Sequence, residues 1–156
     1  DGHGHAVGDQ VLIEVARRLT HAVRAEDLVV RWGGEEFLVI APSVGDAALD
    51  ELAARLLREI SRTPIAGGLA AVPVTVSIGY GAFPIGGFEG GPLTWERALN
   101  LVDMALYTAK SQGRNRAVGI AGLRAATDAS TLKRVEADFE RAWQEGLVKL
   151  AIQPGA

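Results

Sequence analysis

Cysteine is absent from the sequence. That excludes a disulfide framework and any thiol chemistry, and it fits a reducing compartment. No apolar run approaches the roughly 20 residues a membrane-spanning helix needs. No signal peptide is visible, although the chain begins with Asp1 rather than Met. Long basic runs are missing too, and the formal net charge is -3. A nucleic-acid backbone is thereby excluded as a partner, because such binding rests on clustered Lys and Arg. A mononucleotide needs only a few local cations and stays open. What is present, 48% hydrophobic and 22% charged residues over 156 positions, is enough for one globular domain with a proper core.

The chain is organised around Arg31-Trp32-Gly33-Gly34-Glu35-Glu36-Phe37. Residues 27–32 and 37–41 read as strands, and two glycines between two β-prone runs predict a tight hairpin. Two carboxylates follow the turn. Their plain reading is a pair of solvated charges at a hairpin tip. Their sharper reading is an acidic turn that holds a metal over phosphates. Alternation along a strand would send Glu35 and Glu36 to opposite faces, so the two would not share one job.

Elsewhere the pattern alternates helices with strands, which fits an α+β sandwich. A helix begins at Asp9, a candidate cap, with Val11, Leu12, Val15, Ala16, Leu19 and Val23 on one stripe. Arg24 and Asp27 follow it as a local ion pair. Residues 46–61 form an amphipathic helix capped by Asp46, and Arg55 lies on it. A loop over 62–69 leads to a strand over 71–82, with Pro73 marking an edge or bulge. Ser77-Ile78-Gly79 reads as structural, Gly79 letting another backbone come close. The glycine-rich loop 84–92 lacks the Gly-Lys-Ser/Thr ending of a phosphate-binding P-loop. Thr94 caps a helix that runs to about Ser111 and stops at Gly113, with Leu99, Val102, Leu106 and Ala109 inward and Trp95 and Tyr107 packed. Lys110 and Arg114 stand four apart across its end and can point the same way. A short strand at 118–120, a helix over 130–145 with Leu132, Val135, Phe139 and Trp143 inward, and a strand over 147–152 complete the prediction. His3 and His5 beside Asp1 offer a possible metal set.

Gly33-Gly34-Glu35-Glu36-Phe37 resembles the signature of the GGDEF family of diguanylate cyclases, in its Glu-Glu variant. Further matches stand at family spacing: Gly4-His5-Ala6-Val7-Gly8-Asp9, Ser77-Ile78-Gly79, Ala105-Leu106-Tyr107-Thr108-Ala109-Lys110 and Gly113-Arg114-Asn115. They cover residues 1 to about 120 as one domain and leave 121–156 as a helical extension or linker. Within that tail, 142–154 faintly resembles the entry to an EAL phosphodiesterase domain.

The resemblance implies a central, mainly antiparallel sheet with surrounding helices, as in the palm of nucleotidyl cyclases and polymerases. It implies that two GTP condense to cyclic di-GMP and two pyrophosphates, with Mg2+ (or Mn2+), between two copies of the chain face to face. By the same token Glu35 takes the metal and hydroxyl activation, and Glu36 supports it. Asp9 reads the guanine edge, His5 lies near the nucleotide, and Gly33 and Gly34 let it lie against the backbone. Lys110 and Arg114 bind triphosphate. Arg24, Asp27 and Arg55 match the inhibitory site for the product. A strand preceding residue 1, carrying a metal-binding Asp and a guanine-binding Asn, is expected, as are an upstream sensory domain and a cytoplasmic location. Two alternatives stand beside the cyclase: a silent receptor that binds cyclic di-GMP through Arg24, Asp27 and Arg55, and a dimerisation module.

Overall fold

The computed structural model describes residues 5–155, and of His5 the backbone alone. The elements run α1 (His5–Ala22), β1 (Leu28–Arg31), β2 (Phe37–Ile40), α2 (Asp46–Ser61), β3 (Ile65–Gly67), β4 (Ala70–Val72), β5 (Ser77–Gly81), α3 (Trp95–Ser111), β6 (Arg116–Leu123), α4 (Ala129–Ala137), α5 (Phe139–Gln144) and β7 (Val148–Pro154). The fold is α+β. Its strands form three separate sheets: β1-β2, β3-β4 and β5-β6-β7. The pair β5-β6 is parallel; all other pairs are antiparallel.

Helix α1 starts at His5, not at Asp9, and runs through Gly8. Asp9 therefore sits in the second turn and caps nothing. A mid-helix glycine costs about 1 kcal/mol, and tertiary packing offsets it. Val7 in the first turn lies against Gly67, where an added Cβ would come within 2.8 Å of it. Further along, Val15 and Leu19 are buried with Leu52, Leu56, Ile60 and Ile65. Arg18 ties α1 to the end of α2, donating to the carbonyls of Ile60 and Thr63 at 2.7 Å each. Its neighbour Glu14 is held down to a pKa of about 2 by hydrogen bonds from Arg17, then Arg18.

Asp46 is the first helical residue of α2 and not its cap, which is Gly45 and makes no side-chain bond. There its carboxylate still complements the helix dipole. The expected loop over 62–69 contains instead β3 and the turn Gly68-Leu69, with Gly68 at φ +69°, that joins it to β4 in a hairpin. The expected strand 71–82 is interrupted. Pro73 cannot donate to a ladder, so β4 ends at Val72 and β5 begins at Ser77.

Helix α3 is capped by the Thr94 hydroxyl, which accepts from the Arg97 N–H at 3.3 Å. Its fully buried face is Ala98, Leu101, Ala105 and Ala109. Leu99, Val102 and Leu106, predicted inward, are half-buried beside them. Trp95 stacks at an angle on Phe83, with centroids 4.9 Å apart, whereas Tyr107 is 73% exposed rather than packed. The small residues of α3 let it press onto β5. A Cβ at Gly79 would lie 2.4 Å from the Val102 carbonyl oxygen, which is the close approach the sequence suggested.

The single helix expected over 130–145 breaks at Asp138, which has φ -147° and ψ 83° and caps α5 by accepting from the Arg141 N–H. The inward residues are as read: Leu132, Val135 and Phe139 are buried, and Trp143 is packed beside them. They share one core with Leu101, Ala105 and Val118. The final strand runs to Pro154 and pairs with β6 along its length. A second core lies between α1, α2 and the β1-β2 hairpin. Between the two, Ala53 and Leu57 of α2 pack with Ala117 of β6.

Candidate active site

The signature hairpin is wider than a two-residue turn. Arg31 pairs with Phe37, which leaves Trp32 to Glu36 as a five-residue loop. The N–H groups of Trp32 and Gly33 both donate to the Glu36 carbonyl, at 2.8 and 3.3 Å. Arg31 braces the loop from outside, donating to the Gly34 carbonyl at 2.6 Å. Glu35 and Glu36 thus stand in the loop rather than on a strand, so the alternation argument does not apply to them. Both line the same cleft. Gly34 faces open space, with nothing within 4 Å of where a Cβ would stand.

That cleft measures about 1,700 Å³ and is bounded by β2, β5, α2 and α3. It exceeds the roughly 300–1,000 Å³ of an ordinary ligand pocket. Among the described residues, strand β2 is bonded only to β1 and β5 only to β6, and both line this space. At the cleft's margin the end of α3 supplies Lys110, and the loop after it supplies Arg114. Among the described residues, Glu35, Glu36, Lys110 and Arg114 enter no ion pair with one another. A second cavity of about 50 Å³ lies between Asp50, Tyr80 and Gly119 and lacks this meeting of carboxylates and cations.

These observations agree with an independent finding: the family model "Diguanylate cyclase, GGDEF domain" matches residues 1–116. The chain belongs to the GGDEF family. The response regulator PleD of Caulobacter vibrioides is 42% identical over 121 residues, which are 76% of this chain and 26% of PleD. Diguanylate cyclase DgcM of Escherichia coli is 41% identical over 118 residues, 74% of this chain and 26% of DgcM. The solved structure of diguanylate cyclase SiaD with its activator SiaC, from Pseudomonas aeruginosa, superposes with a TM-score of 0.65 at 34% identity. It covers 74% of this chain and 42% of that one. The GGDEF chain therefore spans about a quarter of the length of these curated relatives.

Not every predicted residue of the GGDEF site converges on the cleft. Gly33 and Gly34 belong to the acidic loop without lining the cleft, and Asp9, exposed on α1, does not line it either. The side chain of His5, with His3 and Asp1, lies outside the described residues, and so does the metal set suggested there. Among the described residues no group of three His, Asp or Glu gathers. Glu35 and Glu36 do supply hard carboxylate oxygens. Magnesium is commonly held by one or two carboxylates together with substrate phosphates, so the donor set fits that ion.

Arg24, Asp27 and Arg55 do come together. The Arg24 guanidinium meets the Asp27 carboxylate at 3.0 Å and donates to the Pro42 carbonyl at 2.7 Å. Arg55 donates to the Ala22 carbonyl at 3.0 Å. The Asp27 side chain is only 1% exposed. Its carboxyl is held below the usual range first by the Arg24 hydrogen bond, with Arg55 adding a smaller attraction.

Polar residues of the cleft went unnoticed in the sequence, among them Asn100 and Asp103, which line it from α3. They precede Leu106 and Lys110 at helical spacing, so the 3.6-residue stripe through Lys110 carried the signal. Attention to the apolar stripe alone hid it.

Proposed function

We propose that the chain is one half-site of a diguanylate cyclase, which joins two GTP into cyclic di-GMP with release of two pyrophosphates. The observation that carries this is the shared cleft, in which an acidic hairpin loop and the cationic end of α3 line one space. Lys110 and Arg114 neutralise the triphosphate and the pyrophosphate that leaves. Glu35 draws the proton from the attacking 3′-hydroxyl, and Glu36 steadies the loop and the charge beside it. Gly33 and Gly34 let the nucleotide lie on the backbone. Asp9 reads the guanine edge, and His5 serves beside the nucleotide. Magnesium (or manganese), held by Glu35 and phosphate oxygens, supplies charge neutralisation and a lowered hydroxyl pKa when bound. Half the substrate sits on each copy, so the working unit is a homodimer.

The test is incubation of the native full-length polypeptide with GTP and magnesium, followed by chromatography for cyclic di-GMP. Glu35→Gln should lower turnover by about 10²–10⁴-fold; an unchanged rate refutes the role of Glu35.

A second reading rests on Arg24 and Asp27, just before β1, with Arg55 on α2 beside them. An arginine fork suits bidentate phosphate contacts, so this site takes the product and holds the enzyme back. Calorimetry with cyclic di-GMP decides it. Binding without any turnover of GTP would instead make the chain a receptor.

A further inference from the structure

The loop that carries Arg114 has an unusual backbone. Gly113, Arg114 and Asn115 lie at φ +118°, +65° and +47°. Left-handed conformations cost L-residues free energy and persist only where their surroundings over-determine them. Part of the restraint is local. The Arg114 N–H donates to the Ala109 carbonyl at 3.0 Å, and the Arg116 guanidinium donates to the Arg114 carbonyl at 3.0 Å. The remainder comes from the far end of the chain. Strand β7 pairs with β6 up to Arg116–Pro154. One residue later the Gly155 N–H donates to the Asn115 carbonyl at 2.9 Å. Contact there is so close that a Cβ on Gly155 would stand 2.2 Å from Asn115 Oδ1 and 2.4 Å from its carbonyl oxygen. Only glycine fits flat against that peptide. A second tie fixes the register of β7: the Gln153 amide reaches the Tyr80 hydroxyl at 3.5 Å, and that hydroxyl donates to Asp50 at 2.7 Å.

We infer that the end of β7 is a latch on the triphosphate site, with Gly155 a positioning residue that holds the Arg114 backbone in its left-handed turn. This rests on the reading of Arg114 as a phosphate ligand. The latch gives residues outside the signature region a hold on nucleotide affinity, because displacing Gly155 frees Asn115 and lets the neighbouring Arg114 leave the cleft margin. The strand touches neither Glu35 nor Glu36, so its effect falls on binding rather than on the chemical step.

The test is titration of the native full-length protein with a non-hydrolysable GTP analogue, with melting temperature measured alongside. Gly155→Ala should weaken binding by about five- to tenfold, the coupling expected between neighbouring groups that act as a unit; because Gly155 lies beyond the last β6–β7 pair, its displacement should lower the melting temperature far less than Gly79→Ala does. Combined with Arg114→Ala it should add nothing. Asn115→Gly keeps the backbone carbonyl that Gly155 holds and suits the left-handed turn, so it is the control and should bind as the wild type does. Intact affinity in Gly155→Ala overturns the latch, as does full additivity with Arg114→Ala. If Arg114→Ala itself leaves affinity intact, the phosphate reading of Arg114 has failed and the latch falls with it. If Arg114→Ala weakens binding while Gly155→Ala does not, the latch alone has failed.

Discussion

Replacing Gly79 with alanine is the sharpest test of how the cationic side of the cleft is held. The added Cβ would lie 2.4 Å from the Val102 carbonyl oxygen, 2.6 Å from the Leu106 nitrogen and 2.8 Å from Leu106 Cβ. Ordinary contact begins near 3.4 Å. Two of these obstacles are helix backbone and cannot rotate away, so α3 and β5 must part by about 1 Å. Overpacking of this kind costs about 1–3 kcal/mol. Parting also loosens Leu101 and Ala105, both fully buried, so the upper end, ~3 kcal/mol, applies. At about 2–4 °C per kcal/mol for a chain of this size, melting should fall by about 6–12 °C. Gly34→Ala is the control, because nothing stands within 4 Å of its Cβ and its melting temperature should hold. Differential scanning calorimetry on both variants settles the matter. A Gly79→Ala protein that melts with the wild type would refute the account of how α3 meets β5.

Other expectations follow from the same contacts. Lys110→Ala should weaken GTP binding by about tenfold, as loss of a charge-assisted contact does, without lowering the melting temperature; titration of a GTP analogue reads it. Arg24→Ala should abolish product inhibition of a working cyclase while sparing the uninhibited rate, measured with added cyclic di-GMP. Arg97 meets Glu136 at 2.8 and 3.0 Å, and its hydrogen bond holds the Glu136 carboxyl below the usual range. A lowered folded-state pKa gives stability above the unfolded value that is lost as pH falls through the folded one. Glu136→Gln should therefore cost about 0.5–1 kcal/mol at pH 7 and flatten the acid limb below about pH 4.3. Denaturant melts at pH 7 and pH 3 check both parts.

The sequence was most readable where a pattern repeats. The stripe of α2, the Thr94 cap, the Gly113 stop and the inward residues Leu132, Val135 and Phe139 all follow from local periodicity and cap chemistry. Expectations failed where distant packing overrides a local signal. Asp9 looks like a cap, yet α1 continues back to His5 because Val7 finds Gly67. Gly33-Gly34 looks like a tight turn, yet Arg31 pairs with Phe37 and the loop widens to five residues. Asp138 breaks a helix that is continuous in propensity. Within the site, Glu35, Glu36, Lys110 and Arg114 were visible through the motifs that carry them. Asn100 and Asp103 were not, since a polar residue on a helix stripe gains meaning only when the opposite wall is known.

The two hydrophobic cores set the thermal behaviour of the site. The acidic loop is carried by the core of α1 and α2, and the cations by the core that joins α3 to β6 and α5. The opposite charges of the proposed reaction centre are thus mounted on two cores, joined where α2 and β5 pack with β6. Warming that loosens this joint would part those charges while helices and strands persist, so loss of cyclase activity should precede melting.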